Sequence, residues 1–248
     1  MQELQARTRN EAILYGLPLL VIFSLLLVSG TLAGKGYQSF NWVLTLTEED
    51  KWLEVVHALG YLVGALVSAA GIFLLSAKKV FFLIWLVLSV LFLGEETSWG
   101  QRIFNYEVAS VQAHSLQNEF NLHNLYFLNF GGLTSAENWR DVLKAMLDIQ
   151  FLFQACFFAY FSIIPLISYL SSPVRLLVKR FQYIQPTAML SIVFTFLFVA
   201  SYVAVLMVEQ ELYKNAIVEI RETLFALVVP AYLYQSYYRV RSRNTVAA

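Results

Sequence analysis

Six apolar runs, separated by polar punctuation, organise the chain. They cover residues 12–33, 53–76, 80–104, 149–170, 187–207 and 216–238. A helix needs about 20 residues to cross a hydrocarbon core about 30 Å thick, so runs of this length predict membrane-spanning helices. Short turns join most of them, which predicts antiparallel neighbours. The first run is longer than the apolar part of a signal peptide, and Thr31-Leu32-Ala33 is a poor cleavage site. It is read as the first span. Pro18, Pro165 and Pro230 fall inside spans, where lipid-embedded helices tolerate a kink.

The one long connection, residues 105–148, has its own pattern. Residues 121–130 (NLHNLYFLNF) interleave apolar side chains with Asn and His, as a segment at the interface or over a cavity would. Gly131-Gly132 ends that stretch. Thr134-Ser-Ala-Glu137 reads as a capping box. Trp139, Val142, Leu143, Met146 and Leu147 follow at helical spacing, predicting an amphipathic helix on the membrane surface. The expected fold is therefore all-α: one membrane domain over residues 1–248, a six-helix transmembrane bundle with an outer-side loop, the loop being a candidate lid.

Composition agrees. Of 248 residues, 58% are hydrophobic and 14% charged, with mean hydropathy +0.61, whereas soluble domains carry about 25% charged residues. Aromatics at 16% suit interfacial belts. A net charge of zero gives no sign of a nucleic-acid partner. The single cysteine, Cys156, excludes an intrachain disulfide and reads as an apolar packing residue.

Charge sorts along the chain. Arg7, Arg9, Lys78, Lys79, Arg175, Lys179, Arg180, Arg239, Arg241 and Arg243 fall on one side, which the positive-inside rule assigns to the cytoplasm together with both termini. Of the 17 acids only Glu3 and Glu11 share that side. His57, His114 and His123 fall on the other. Any chemistry is expected at the outer leaflet.

Helix rise, about 1.5 Å per residue, places Glu95 roughly 22 Å from Lys79 and Glu222 roughly 24 Å from Arg239. Both acids stop short of a full core thickness, and a carboxylate within a span costs on the order of 3 kcal/mol. Such groups face the bundle interior and find partners. Arg102 and Arg221 are the expected counter-ions. Glu54 and His57 stand at i, i+3, and Glu119 and His123 at i, i+4. Glu95, Trp99 and Arg102 would share a face of a continuous third helix, and Glu219 and Glu222 a face of the last. The run Glu48, Glu49, Asp50 reads as a solvated helix start, and His114 as solvated. Carboxylates and histidines projecting inward from facing helices are how di-metal bundle sites are built. Glu96, Glu222, His123, His57 and Glu119 are the candidate ligands, suiting Zn²⁺, Mn²⁺ or Fe²⁺.

The stretch Gly94-Glu-Glu-Thr-Ser-Trp-Gly-Gln-Arg102, followed by Asn121-Leu-His-Asn124, resembles a family of uncharacterised bacterial integral membrane proteins with a GEExSWGQR…NLHN signature. The turn Glu48 to Trp52 is similar too. The resemblance covers Glu48 to Asn124, about a third of the chain. It implies a bacterial inner-membrane protein and carries Glu95, Glu96, Trp99, Gln101, Arg102, His123 and Asn124 as motif positions, without supplying an activity. Alkaline ceramidase-like hydrolases, with seven helices and a zinc held by several histidines, fit poorly, because no HxxxH pair stands in a late span.

Three function classes follow. The first is a metal-assisted enzyme acting on a lipid or other membrane-borne substrate. There Glu95, Glu96 and Glu222 with His57 or His123 would hold a cation that activates water, one carboxylate would serve as general acid or base, and Arg102 would orient an anionic headgroup. The second is a structural or assembly subunit whose acids and arginines are buried ion pairs. The third is a transporter, against which the inner halves of the helices hold almost no ionisable residues.

Overall fold

The computed structural model describes residues 16–47, 52–104, 138–181 and 183–247, with 106, 108, 111, 113–115, 121 and 125 between them. Among these residues the chain is helical, the one β feature being an isolated bridge between Ser115 and Leu125. The helices are α1 (Leu17–Gly34), α2 (Trp42–Thr47), α3 (Trp52–Leu74), α4 (Lys79–Glu96), α5 (Gln101–Phe104), α6 (Trp139–Met146), α7 (Ile149–Leu170), α8 (Ser172–Arg180), α9 (Ala188–Leu206) and α10 (Glu211–Ala247).

Four of them, α1, α3, α7 and α9, are long and apolar enough to cross a membrane. The expected six spans are thus met in four. α4 carries Lys79, Glu95 and Glu96 within its 18 residues. α10 is 37 residues long, roughly 55 Å, and mixes charged and apolar positions throughout. Its place in the fold explains that mixture. It packs against α1, α2, α3 and α9, and Ile217, Ile220, Arg221, Thr223, Leu224, Phe225, Tyr232 and Gln235 are all buried. Several of its polar side chains, Arg221, Thr223, Gln235 and Ser236, are buried in protein, so its hydropathy understates its burial.

Small residues on α3 set how the helices meet. Gly60, Gly64, Ser68 and Gly71 are all buried along one helix, the pattern that lets membrane helices approach closely. A methyl group on Gly60 would strike the carbonyl oxygen of Ala226 on α10, and one on Gly71 would strike the Phe82 ring of α4. Gly64 lies between the two partners, against Ser89 on α4 and Val229 on α10. Pro230 explains the contact at Gly60. A proline cannot hydrogen-bond the carbonyl four residues back. In α10 that carbonyl belongs to Ala226, and it lies against Gly60, where only a hydrogen leaves it room.

Two helix ends depart from expectation. The third predicted helix stops at Glu96, because Ser98 (φ 47°) and Trp99 (φ 52°) turn left-handed before Gly100 (φ 83°). The run to residue 104 is therefore broken, and Glu95, Trp99 and Arg102 do not share a helix face. α7 stays continuous through Pro165 by opening a π turn at Ala159–Ile163, which relieves the clash with the preceding turn. The expected amphipathic helix is present as α6, with Trp139, Val142, Leu143, Met146 and Leu147 all exposed. Its N-cap is Asn138, whose side chain accepts from the amides of Arg140 and Asp141. The capping box at Thr134–Glu137 lies outside the described residues, as do residues 126–137 with the Gly131-Gly132 stop.

Candidate functional site

The registers fixed by the α3 glycines deliver His57 to its partners. α3 and α10 run parallel. The residue one turn before Gly60 is His57, and the residue one turn before Ala226 is Thr223; their side chains meet, His57 Nε2 to Thr223 Oγ1 at 2.6 Å. α3 and α4 run antiparallel. Following the contacts Gly71 with Phe82 and Gly64 with Ser89 leads to His57 opposite Glu96, with Nδ1 and Oε2 3.1 Å apart. The imidazole is 1% exposed and the Glu96 carboxyl 24%.

Counting protons narrows what this chain of bonds can hold. Thr223 has one hydroxyl proton and sits 2.9 Å from the carbonyl oxygen of Glu219. If it donates there, His57 Nε2–H donates to Thr223, and Nδ1 and Glu96 share a proton between them. If Thr223 instead donates to Nε2, then Nδ1–H donates to an ionised Glu96. In both arrangements every imidazole nitrogen is satisfied within the bundle, and Glu96 is the member that reaches solvent-accessible space.

That space is a cavity of about 1550 Å³, larger than the ~300–1,000 Å³ of an ordinary small-molecule site. Five carboxylates line it: Glu54, Glu95, Glu96, Glu219 and Glu222. The charges of Glu96, Glu219 and Glu222 act on His57, and that of Glu54 on Glu219, so these four carboxylates lie close to one another. Away from the acids the wall is apolar, with Ile84, Leu88 and Leu91 from α4 and Leu152, Phe153 and Phe157 from α7. From Glu96 to Val80 on α4, both of which line the cavity, is roughly 24 Å. At the far end Trp85 Nε1 donates to Tyr160 Oη at 3.3 Å, and the Tyr160 and Tyr232 hydroxyls lie 2.7 Å apart. Tyr183 donates to the carbonyl of Tyr160 at 2.8 Å, and its burial pushes its phenol well above the usual range, which keeps it a donor.

The turn after α4 holds a second polar contact. Trp99 Nε1 donates to Glu95 Oε1 at 2.8 Å. The Trp99 ring folds back over Gly94, where any side chain would collide with it, and Tyr106 donates to the Trp99 carbonyl at 2.9 Å. The Gly-Glu-Glu-Thr-Ser-Trp-Gly spelling is thus a reversed turn that seats an indole on the helix it has just left.

The expected site residues divide. Glu95, Glu96, Glu222 and His57 come together around the cavity. Glu119, His123 and Asn124 lie outside the described residues, as does the side chain of Arg102. Among the described residues no group of three or more His, Cys, Asp and Glu is placed to hold a metal ion. His57 pairs with Glu96 and Thr223, where the sequence suggested Glu54. Arg221, expected as a counter-ion, stacks its guanidinium 4.4 Å from the Tyr202 ring centre on α9, and among the described residues its Nε has no hydrogen-bond partner. Tyr202 in turn donates to Gln154. His114 is exposed, as expected, and Cys156 is exposed where packing was expected. Sequence reasoning missed Thr223 and the glycine stripe; the spacing Gly60, Gly64, Ser68, Gly71 was the available signal.

Fold and site together define an all-helical protein of membrane-spanning character with a carboxylate–imidazole cluster inside the bundle. Neither protein-family models, nor curated proteins, nor solved structures give a match to the chain.

Proposed function

We propose that this protein binds, and chemically handles, a membrane-borne amphiphile whose polar head meets the carboxylates while its apolar part lies along α4 and α7. One observation carries the reading: a long, apolar-walled cavity is headed by five carboxylates, one of them hydrogen-bonded to the buried His57. Acids within membrane helices are retained at a cost and mark functional sites. A carboxylate hydrogen-bonded to an imidazole is suited to taking and returning a proton at the ligand head.

In this reading α4 and α10 also cross the bilayer, completing six spans in a bacterial inner membrane. The acidic end faces outward, with both termini inside. The stretch Gly94 to Arg102, which bears the family resemblance, builds the rim of the site. A divalent cation would enter through Glu96 or Glu222 with Glu119 and His123, a completion that metal analysis of the purified protein addresses directly.

The test is native mass spectrometry and lipid extraction of the protein purified in mild detergent. The expected result is a retained amphiphile, lost when the cavity is filled by Leu88→Trp and weakened severalfold by Glu222→Gln, with melting temperatures held. A second reading has its own support, since both His57 nitrogens are used inside the bundle: the cluster is a lock between α3, α4 and α10. If no amphiphile is retained and Glu96→Gln changes melting alone, the lock stands and the binding reading falls.

A further inference from the structure

The end of the bundle opposite the acids carries a helix that the site does not use. α8 (Ser172–Arg180) lies between two membrane-spanning helices, α7 and α9, and so at the boundary where they leave the apolar layer. Its start is fastened. Arg175 donates from Nε to the Ser168 carbonyl at 3.0 Å and from Nη2 to the Tyr169 carbonyl at 3.1 Å, closing the end of α7. Its last turn is not. Leu177 and Phe181, one turn apart, are exposed, Phe181 at 76%. Beside them Lys179 and Arg180 make no hydrogen bond or ion pair among the described residues. Arg180 and Phe181 line the far mouth of the cavity with Val80, whose neighbour Lys79 is equally without a described partner.

Among the described residues, charge at this end is of one sign. Every Asp and Glu among the described residues lies at the other end of the bundle or beside it: Glu54, Glu95, Glu96, Asp141, Asp148, Glu209, Glu211, Glu219 and Glu222. A protein partner would have to bring all the neutralising charge itself and match an apolar pair on one helical turn. An anionic leaflet supplies both at once, acyl chains for Leu177 and Phe181 and phosphates for the cations. Amphipathic helices with basic polar faces lie in the interface in this way, and basic residues next to spans bind acidic headgroups.

We infer that α8 is an interfacial anchor and that Lys79, Lys179 and Arg180 hold the phosphate of an anionic glycerophospholipid at the basic mouth of the cavity. The contact is separate from the amphiphile site at the acidic end, and either can fail alone.

The experiment uses the full chain, solubilised and offered phosphatidylglycerol and phosphatidylcholine in equal amounts, with retained lipid counted by native mass spectrometry. Wild type should retain phosphatidylglycerol in preference. Each cation removed should cost about fivefold, so Lys179→Gln/Arg180→Gln should cut the preference about 25-fold, and adding Lys79→Gln should bring the two lipids close to parity. Leu177→Ser/Phe181→Ser should reduce retention of both. Melting temperature serves as the fold control, since none of these side chains is buried. Equal retention by wild type, or a preference undiminished in Lys179→Gln/Arg180→Gln, overturns the assignment. So does a dimer in detergent that Leu177→Ser/Phe181→Ser dissolves, which would make a second copy the occupant.

Discussion

The two ends of the bundle are both polar, and they are polar in opposite ways. At the acidic end the polar groups come from three helices and meet inside, with His57 on α3, Glu96 on α4, and Thr223, Glu219 and Glu222 on α10. At the basic end the cations lie at the rim. Arg175 and Arg239 bond backbone carbonyls, and Lys79, Lys179 and Arg180 reach outward. The helices supply similar apolar side chains to both ends, so composition does not make the difference. Register does. The glycines of α3 bring three backbones close enough that a polar residue one turn further on must find its partner in the neighbouring helix or be stranded. At the basic end the helices run out into α8 and the tail of α10, and charge is left on the surface.

The largest expected effect comes from breaking that register. In Gly60→Leu the new side chain meets the Ala226 carbonyl, which is backbone and cannot swing aside. Overpacking of this kind costs about 1–3 kcal/mol and more when backbone must move. The folded yield in detergent should collapse, as read by size-exclusion profile. Pro230→Ala would let Ala226 bond back within α10, and in that background the penalty for Gly60→Ala should shrink, a coupling that a double-mutant cycle measures. Equal penalties in both backgrounds would detach the proline from the contact.

Much of the fold was legible in the chain because burial in lipid writes itself as length. α1, α3, α7 and α9 are runs of about 20 apolar residues, and the amphipathic α6 announces itself by spacing. α10 was harder, since a helix packed against four others can hold Glu219, Arg221 and Glu222 and still be central. The end of α4 was missed because the turn at Ser98 and Trp99 is made by ordinary residues in left-handed conformations, which no residue type advertises. α8 was read as a basic turn, though Val174, Leu177, Val178 and Phe181 stand at helical spacing there too. For the site, depth along each helix points to Glu95, Glu96, Glu222 and His57; the three acids line the cavity and His57 bonds Glu96. Depth carries no azimuth, however, and spacing along one helix offered Glu54 beside His57 where the fold supplies Glu96 and Thr223 from two other helices. Azimuth came from glycines that carry no chemistry of their own.

The next effect down separates buried from merely polar. His57→Leu removes both interhelical hydrogen bonds at once, leaves Thr223 only its bond to the Glu219 carbonyl and sets an apolar side chain against the Glu96 carboxyl, a loss of about 1–3 kcal/mol. Glu96→Gln keeps an oxygen and an amide at the same place and should cost under about 1 kcal/mol. Thermal unfolding in one detergent ranks them. If Glu96→Gln destabilises as much as His57→Leu, the charge of Glu96 rather than the bond geometry holds the three helices together.

The smallest effect sharpens the comparison from inside the acidic end. The bond from Trp99 to Glu95 is polar and belongs to the same cluster in sequence, yet it sits at the exposed rim. If burial is what distinguishes the two ends, this pair should behave like the cations of the basic end. Trp99→Phe keeps an aromatic ring over Gly94 and removes only the donor, so the loss should be about 0.5 kcal/mol, the low end for a hydrogen bond that water can replace. Differential scanning fluorimetry resolves such a change against the His57→Leu shift in the same preparation. A Trp99→Phe penalty as large as that of His57→Leu would mean that the turn after α4, and not the interior register, fixes the acidic end. Glu95 would then be the residue around which the others assemble.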